Sequence, residues 1–149
     1  MQMQPPATRC LLLVEDDAET RASLEFSLSR AGYKVTGAAN EAQALACLAH
    51  ERLQLVLIGD SFAAKQGFTL CARLRSLSAL PIVILAALNH PDDLAVAFRL
   101  GANDYIIKPV PINVLLARLA AVLRRTKANT YQPRRRTILP AKVVCSTPQ

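Results

Sequence analysis

Tryptophan is absent from this chain of 149 residues and aromatic residues make up only 5% of it, although 52% of the residues are hydrophobic. The core must therefore be built from aliphatic side chains. No apolar run approaches the roughly 18 residues of a membrane-spanning helix, and the N-terminus lacks the basic-then-apolar order of a secretory signal. We expect a cytoplasmic globular protein of about one domain, with no membrane partner.

Several catalytic and metal-binding motifs are also missing. The four cysteines are scattered without CxxC spacing, which argues against a metal cluster. There is no Gly-rich phosphate loop and no nucleophile elbow. We therefore expect a protein that is not an enzyme.

Acidic residues are missing from the last third of the chain. Residues 105–149 hold nine Lys or Arg and no acid, a net charge of +9, whereas residues 1–104 hold nine Lys or Arg and all eleven acids, a net charge of −2. Such asymmetry suggests an acidic partner, with nucleic acid as the leading candidate. An inert, solvated linker is the alternative.

Short aliphatic segments alternate five times with helical patterns. Five such units predict an α/β fold, with a parallel sheet covered by helices on both faces. The predicted strands are 10–14, 33–38, 53–58, 81–87 and 104–108, and the predicted helices are 17–31, 40–50, 68–77, 90–102 and 111–125. In the first helix the apolar residues Ala18, Ala22, Phe26, Leu28 and Ala31 show helical spacing.

Three segments are predicted along the chain. Residues 1–8 form a disordered N-terminus, residues 9–125 form the folded domain, and residues 126–149 form a basic linker or tail, because the periodic pattern ends near Thr126.

The polar residues that follow the strands are the candidate site, because ligands of doubly wound sheets bind at the carboxyl ends of the strands. Glu15 and Asp16 follow the first strand, and such a pair is a hard-oxygen ligand set for Mg²⁺. Lys108, after the fifth strand, could bind a phosphoryl oxygen or a carboxylate. Phosphoryl chemistry would also require a carboxylate nucleophile after the third strand and a hydroxyl after the fourth.

The segments "LLLVEDD", "PIVILAA" and "GANDYIIKP" resemble the receiver domain of bacterial two-component response regulators over roughly residues 9–125. The resemblance implies a flavodoxin-like (βα)5 sheet with strand order 2-1-3-4-5. It implies that Glu15 and Asp16 are the acidic pair, Lys108 the invariant lysine and Tyr105 the switch aromatic. It also makes the Lys108–Pro109 bond a candidate for the cis form.

Two positions depart from the family pattern. The family places a glycine eight residues after the phosphoaccepting aspartate, and counting back from Gly67 reaches Gly59 instead of Asp60. The switch hydroxyl is replaced by Ala86. Successive strand side chains point to opposite faces, so Asp60 would replace the acceptor only through an unusual turn at Gly59.

We therefore expect a degenerate receiver that works independently of phosphorylation, through protein–protein contacts. No cofactor is expected, although Glu15 and Asp16 could hold Mg²⁺ if the site were intact. Alternatively, these two carboxylates form a polar strand end paired with Lys108. One rival function is a Mg²⁺-dependent receiver that is phosphorylated on Asp60, and another is non-specific nucleic-acid binding by the tail. Asp17 and Glu19 are expected to serve the N-terminus of the first helix.

The last helix resembles that of the OmpR/PhoB-type subgroup, whose receivers dimerise through the fourth helix, fifth strand and fifth helix. Asp104, Arg118 and Arg125 match the charged positions of that face, whereas Val114 and Asn103 replace two acids. The resemblance implies a histidine kinase, an effector domain or another receiver as partner, and a transcriptional output. The 24 or so residues after the last helix are too few for a winged-helix DNA-binding domain, so we expect a truncated or free-standing receiver.

Overall fold

The computed structural model describes residues 9–59, 68–87 and 91–126, with the side chains of 91–93 left aside. The alternation of strands and helices is confirmed. The strands are β1 (Cys10–Val14), β2 (Lys34–Ala38), β3 (Leu55–Ile58), β4 (Ile82–Ala86) and β5 (Asp104–Ile107). The helices are α1 (Ala18–Arg30), α2 (Glu41–His50), α3 (Phe68–Leu77), α4 (Pro91–Arg99) and α5 (Ile112–Arg125).

All five strands pair in parallel, in the order β2-β1-β3-β4-β5. This is the predicted flavodoxin-like sheet. The three central strands are nearly uniform aliphatic runs because both of their faces are covered. The carboxyl ends of β1 and β3 lie side by side, since Val14 is in register with Ile58.

Two aliphatic layers form the core, one on each face of the sheet. Alternate strand residues such as Leu12 and Val56 pack with α2, α3 and α4 on one face. Their neighbours Leu11 and Leu57 pack with α1 and α5 on the other. The two-residue period of a strand distributes the aliphatic residues between these layers.

The apolar spacing of α1 predicted a helix correctly but does not mark its buried side. Leu28 is fully buried, but Phe26 is 64% exposed and Ala18, Ala22 and Ala31 are exposed too. Arg30 covers the outer ring of Phe26, with its guanidinium 5.7 Å from the ring centroid. Small alanines carry little burial energy, so the larger Leu24 and Leu28 determine which side of the helix faces the sheet.

No described helix is long and apolar enough to cross a bilayer.

Candidate functional site

The first part of the candidate site is the junction between the ends of β1 and β3. The Gly59 amide donates a hydrogen bond to the Val14 carbonyl over 2.7 Å, and the Glu15 amide donates to the Ala38 carbonyl over 2.9 Å. Both residues are thereby held in the sheet ladder. Asp60, the predicted substitute acceptor, lies outside the described residues.

The Glu15 side chain fills the space beside Gly59. Glu15 is 0% exposed. A Cβ atom added to Gly59 would overlap with Glu15 Oε1, and it would lie 2.9 Å from Cδ and 3.1 Å from Cβ of the same residue. The position predicted for the acceptor therefore has no side chain, and the carboxylate of Glu15 occupies the volume next to it.

Hydrogen bonds hold Glu15 in this inward orientation. Its Oε2 accepts the backbone N–H of Asp17 over 2.9 Å. Its backbone carbonyl accepts Nη1 of Arg21 over 2.6 Å. Glu15 is therefore an integrated part of the β1–α1 turn.

The two acids after Glu15 lie at the surface. Asp16 is exposed. Asp17 is the N-cap of α1, as predicted, and accepts the amide of Thr20 over 2.9 Å and its hydroxyl over 2.6 Å. These two bonds, first the one from the Thr20 hydroxyl, lower the pKa of Asp17, and the charges of Arg21 and Lys108 lower it further. Lys108 is thus close enough to influence the acidic turn.

Ala86 and Lys108 lie together at the ends of β4 and β5. The Lys108 amide donates to the Ala86 carbonyl over 2.7 Å, and Ala86 is in register with Ile107. The Lys108–Pro109 peptide is cis, as the resemblance implied. Residue 86, whose backbone adjoins that of Lys108, thus carries a buried methyl group and no hydroxyl.

Tyr105 lies within the core layer that includes Ala97 and Ala102, and it is only 6% exposed. Its partner across the sheet is Ile84. Tyr105 thus occupies an inward position in this structure.

The residues at this edge do not fit a bound Mg²⁺ ion. A cation at a protein surface needs oxygen ligands that converge on one accessible point. Glu15 is folded inward while Asp16 is exposed, and in the described parts of the chain no three Asp, Glu, His or Cys side chains are grouped for a metal.

A family profile for the response regulator receiver domain matches residues 11–120. The chain belongs to this family. Among curated proteins it is 43% identical over 115 residues to the transcriptional regulatory protein AfsQ1 of Streptomyces coelicolor, covering 77% of this chain and 51% of that protein. It is 38% identical over 122 residues to the transcriptional regulatory protein GltR of Pseudomonas aeruginosa, covering 80% of this chain and 50% of that one.

A solved structure carries the same fold. The BeF3-activated N-terminal receiver domain of Klebsiella pneumoniae RstA superposes with a TM-score of 0.73 at 34% identity, over 78% of this chain and 99% of that one. In contrast to that single domain, the curated relatives are longer, and the chain spans about half of their length.

Two of the three predicted dimer residues, Asp104 and Arg118, form an ion pair within the chain. Arg118 Nε lies 3.0 Å from Asp104 Oδ2 and Nη2 lies 3.1 Å from Oδ1, so the guanidinium binds the carboxylate through two bonds. The pair joins β5 to α5. Arg125 is exposed in the last turn of α5, and Val114 is 40% exposed nearer its start.

A residue that the sequence prediction missed is Arg75, near the end of α3. Its guanidinium donates to the carbonyls of Leu80 over 2.7 Å and Gly101 over 2.6 Å, and to Oδ1 of Asn103 over 3.1 Å. The same Asn103 oxygen accepts the amide of Ile82 over 2.9 Å. Asn103, which was predicted only as a lost acid of the dimer face, therefore ties the α4–β5 loop to β4. An isolated arginine in a helical pattern carries no signal for such bonds.

Proposed function

We propose that this receiver domain signals without being phosphorylated, as a non-catalytic cytoplasmic module that regulates transcription through protein contacts. The observation that carries the proposal is at the end of β3. Gly59 has no side chain to accept a phosphoryl group, and buried Glu15 occupies the adjoining volume. Without a phosphoaccepting side chain, the receiver would exist only in its unphosphorylated form.

A second position supports the same conclusion. Ala86 lies beside Lys108 and has no hydroxyl to bond a phosphoryl oxygen. The nucleophile and the group that would respond to phosphorylation are thus both replaced, at the ends of two different strands. Replacing the nucleophile would prevent phosphorylation, and replacing the hydroxyl would remove the group that bonds the phosphoryl oxygen.

The partners would be proteins bound at α4, β5 and α5. Of the seven large hydrophobic side chains exposed in the described residues, five lie on these three elements: Leu94, Phe98, Ile107, Ile112 and Val114. A second copy of the chain, another receiver, a histidine kinase or an effector domain would cover such side chains. The names of the curated relatives favour a transcriptional output, with DNA bound by an effector domain.

The domain limits also belong to this proposal. We take residues 9–125 as the receiver and residues 126–149 as a basic linker or tail; the predicted N-terminal segment 1–8 and residues 127–149 lie outside the described residues. The tail carries Arg134, Arg135 and Arg136, which favours a second candidate function, non-specific binding of nucleic-acid phosphates.

Incubation with Mg²⁺ and acetyl phosphate tests the main proposal. We expect the intact mass to stay unchanged, while an ordinary receiver treated in parallel gains a labile phosphoryl group. An adduct that disappears in an Asp60→Asn variant would instead establish Asp60 as the acceptor.

Two further measurements test the partners. Phe98, which is 46% exposed on α4, is replaced by Asp, and we expect self-association in analytical ultracentrifugation to weaken without phosphate donor present. Leu77→Asp, on α3, is the control because Leu77 is also exposed. Unchanged DNA affinity after deletion of residues 127–149 would remove the nucleic-acid candidate.

A further inference from the structure

Glu15 is a buried carboxylate at the junction of β1, β3 and the start of α1. It is 0% exposed, it lies against the backbone of Gly59, and it is the first residue after β1. We propose that Glu15 is an internal plug: its side chain replaces the missing side chain of residue 59 and is thereby withdrawn from the divalent-cation site that Glu15 and Asp16 would otherwise form. This inference rests on the proposed function.

Residues 15 and 59 are coupled because a side chain at residue 59 would overlap with the side chain of Glu15. The backbone of Gly59 lies outside the left-handed region, which among the described glycines is occupied by Gly32 and Gly101. An alanine at residue 59 would therefore be acceptable to the backbone. Its Cβ would nevertheless overlap with Glu15 Oε1 and lie 2.9 Å from Cδ, so the glutamate would have to leave.

Leaving the pocket has a cost for Glu15. The hydrogen bond from the Asp17 amide to Oε2 would be broken, and the 3.1 Å approach of the new Cβ to Glu15 Cβ would remain, because a side-chain rotation does not move that atom far. The wild-type arrangement is thus held by both packing and hydrogen bonding.

The consequence concerns cation binding. Mg²⁺ binds carboxylates that reach it together with water, and an inward Glu15 leaves Asp16 without the second carboxylate of the predicted pair, since the neighbouring Asp17 accepts its bonds from Thr20. Expelling Glu15 places both carboxylates at the edge. A change that adds no ligand atom, Gly59→Ala, is therefore expected to create a cation site.

A set of stability measurements tests the plug. We expect Gly59→Ala to lower the melting temperature of the wild-type chain. In a Glu15→Ala background the same substitution should lower it much less. In a Glu15→Gln background it should lower it nearly as much as in the wild type. Glutamine is the matched control, since it has the size of glutamate without its charge. Equal losses from Gly59→Ala in all three backgrounds would overturn the proposal.

A Mg²⁺ titration followed by backbone amide NMR tests the withdrawal from the cation site. We expect the amides of Glu15 and Asp16 to stay unshifted in the wild type and to shift in Gly59→Ala. Shifts in the wild type, or none in the variant, would overturn this inference while leaving the proposed function standing. The proposed function fails on a different result, a phosphoryl adduct on the wild-type chain.

Discussion

The carboxyl edge of the sheet and the α4–β5–α5 face meet at β5, yet they differ in what they retain. At the edge, Gly59 has no side chain, Ala86 carries only a methyl group, and the acidic Glu15 is buried. On the face, Asp104 and Arg118 form a two-bond ion pair at the surface. The comparison shows that the parallel sheet and the Asp104–Arg118 ion pair are formed in a chain that has glycine at residue 59 and alanine at residue 86.

The two regions also differ in how far their ionisable side chains are exposed to solvent. Glu15 is shielded from water, whereas the side chains of Arg118 and Asp104 are 46% and 17% exposed. Contacts at the buried edge should therefore contribute more to folding than those at the exposed face. The predictions below test this difference, from the largest expected effect to the smallest.

The largest effect is expected below both regions, in β3. The side chain of Leu57 packs in the core layer that contains residues of α1 and α5, and it is 0% exposed to solvent. Leu57→Ala should lower the free energy of unfolding by about 2–5 kcal/mol, because it removes buried methyl groups and leaves a cavity. Urea unfolding measures the change.

The matched control is Leu77→Ala on α3, where the leucine is 54% exposed. We expect that change to stay within about 0.5 kcal/mol. If both substitutions cost the same, β3 is not the common support of the edge and the face, and the comparison would lose its basis.

The second effect concerns the link between α3 and the start of β5. Arg75→Ala removes the donors to Leu80, Gly101 and Asn103, and it should cost roughly 1–3 kcal/mol because partly buried acceptors lose their partners. Hydrogen exchange should become faster in residues 100–104. A Cβ atom added at Gly101, where φ is 109°, would lie 2.7 Å from Arg75 Nε, so the loop backbone leaves room for this side chain.

Arg73→Ala is the control for Arg75. Arg73 pairs with Glu41 over 2.9 Å, but its side chain is 55% exposed, so we expect at most about 1 kcal/mol. Faster exchange at the α4–β5 loop in both variants would show that helix α3 as a whole, and not Arg75, supports the loop.

Most of the fold was predictable from the sequence, because aliphatic runs and helical periods leave few topologies open. Each β-strand lies within two residues of its predicted limits, and Asp17 caps α1 as predicted. The first helix shows why periodicity is not enough: its alanines matched the pattern, but leucines determined the buried side.

The strand ends at which Glu15, Gly59 and Ala86 lie were predictable, but the orientation of the Glu15 side chain was not. Gly59 was assigned by counting back from Gly67, and Ala86 from the pattern of the fourth strand. The inward Glu15 was not, because a rotamer depends on the empty space beside a residue that is 44 positions away. Arg75 was missed for the same reason: its acceptors come from two loops that meet only after folding.

The third effect is the ion pair of the α4–β5–α5 face. A double-mutant cycle with Asp104→Asn and Arg118→Gln should give a coupling energy of about 0.2–1 kcal/mol, because the pair is partly exposed and screened. The coupling should shrink at about 1 M NaCl. A coupling as large as the effect of Arg75→Ala would contradict the distinction between a buried edge and an exposed face.

The smallest effect is expected at Asp17, which lies on the exposed side of the otherwise buried β1–α1 turn. Its pKa in the folded chain is below the ordinary 3.8, chiefly because of the Thr20 hydroxyl. Since the folded pKa is depressed, its contribution to stability is present above the unfolded value and is lost as the pH falls through the folded pKa. Asp17→Asn keeps an acceptor but does not titrate, so the wild type should exceed it in urea midpoint near neutral pH and lose that advantage as the pH falls through the depressed folded pKa of Asp17. Thr20→Val, which removes the hydroxyl donor and keeps the amide, should move the loss to higher pH. An advantage that does not change with pH would show that the cap acts through its hydrogen-bond geometry alone and not through the charge of Asp17.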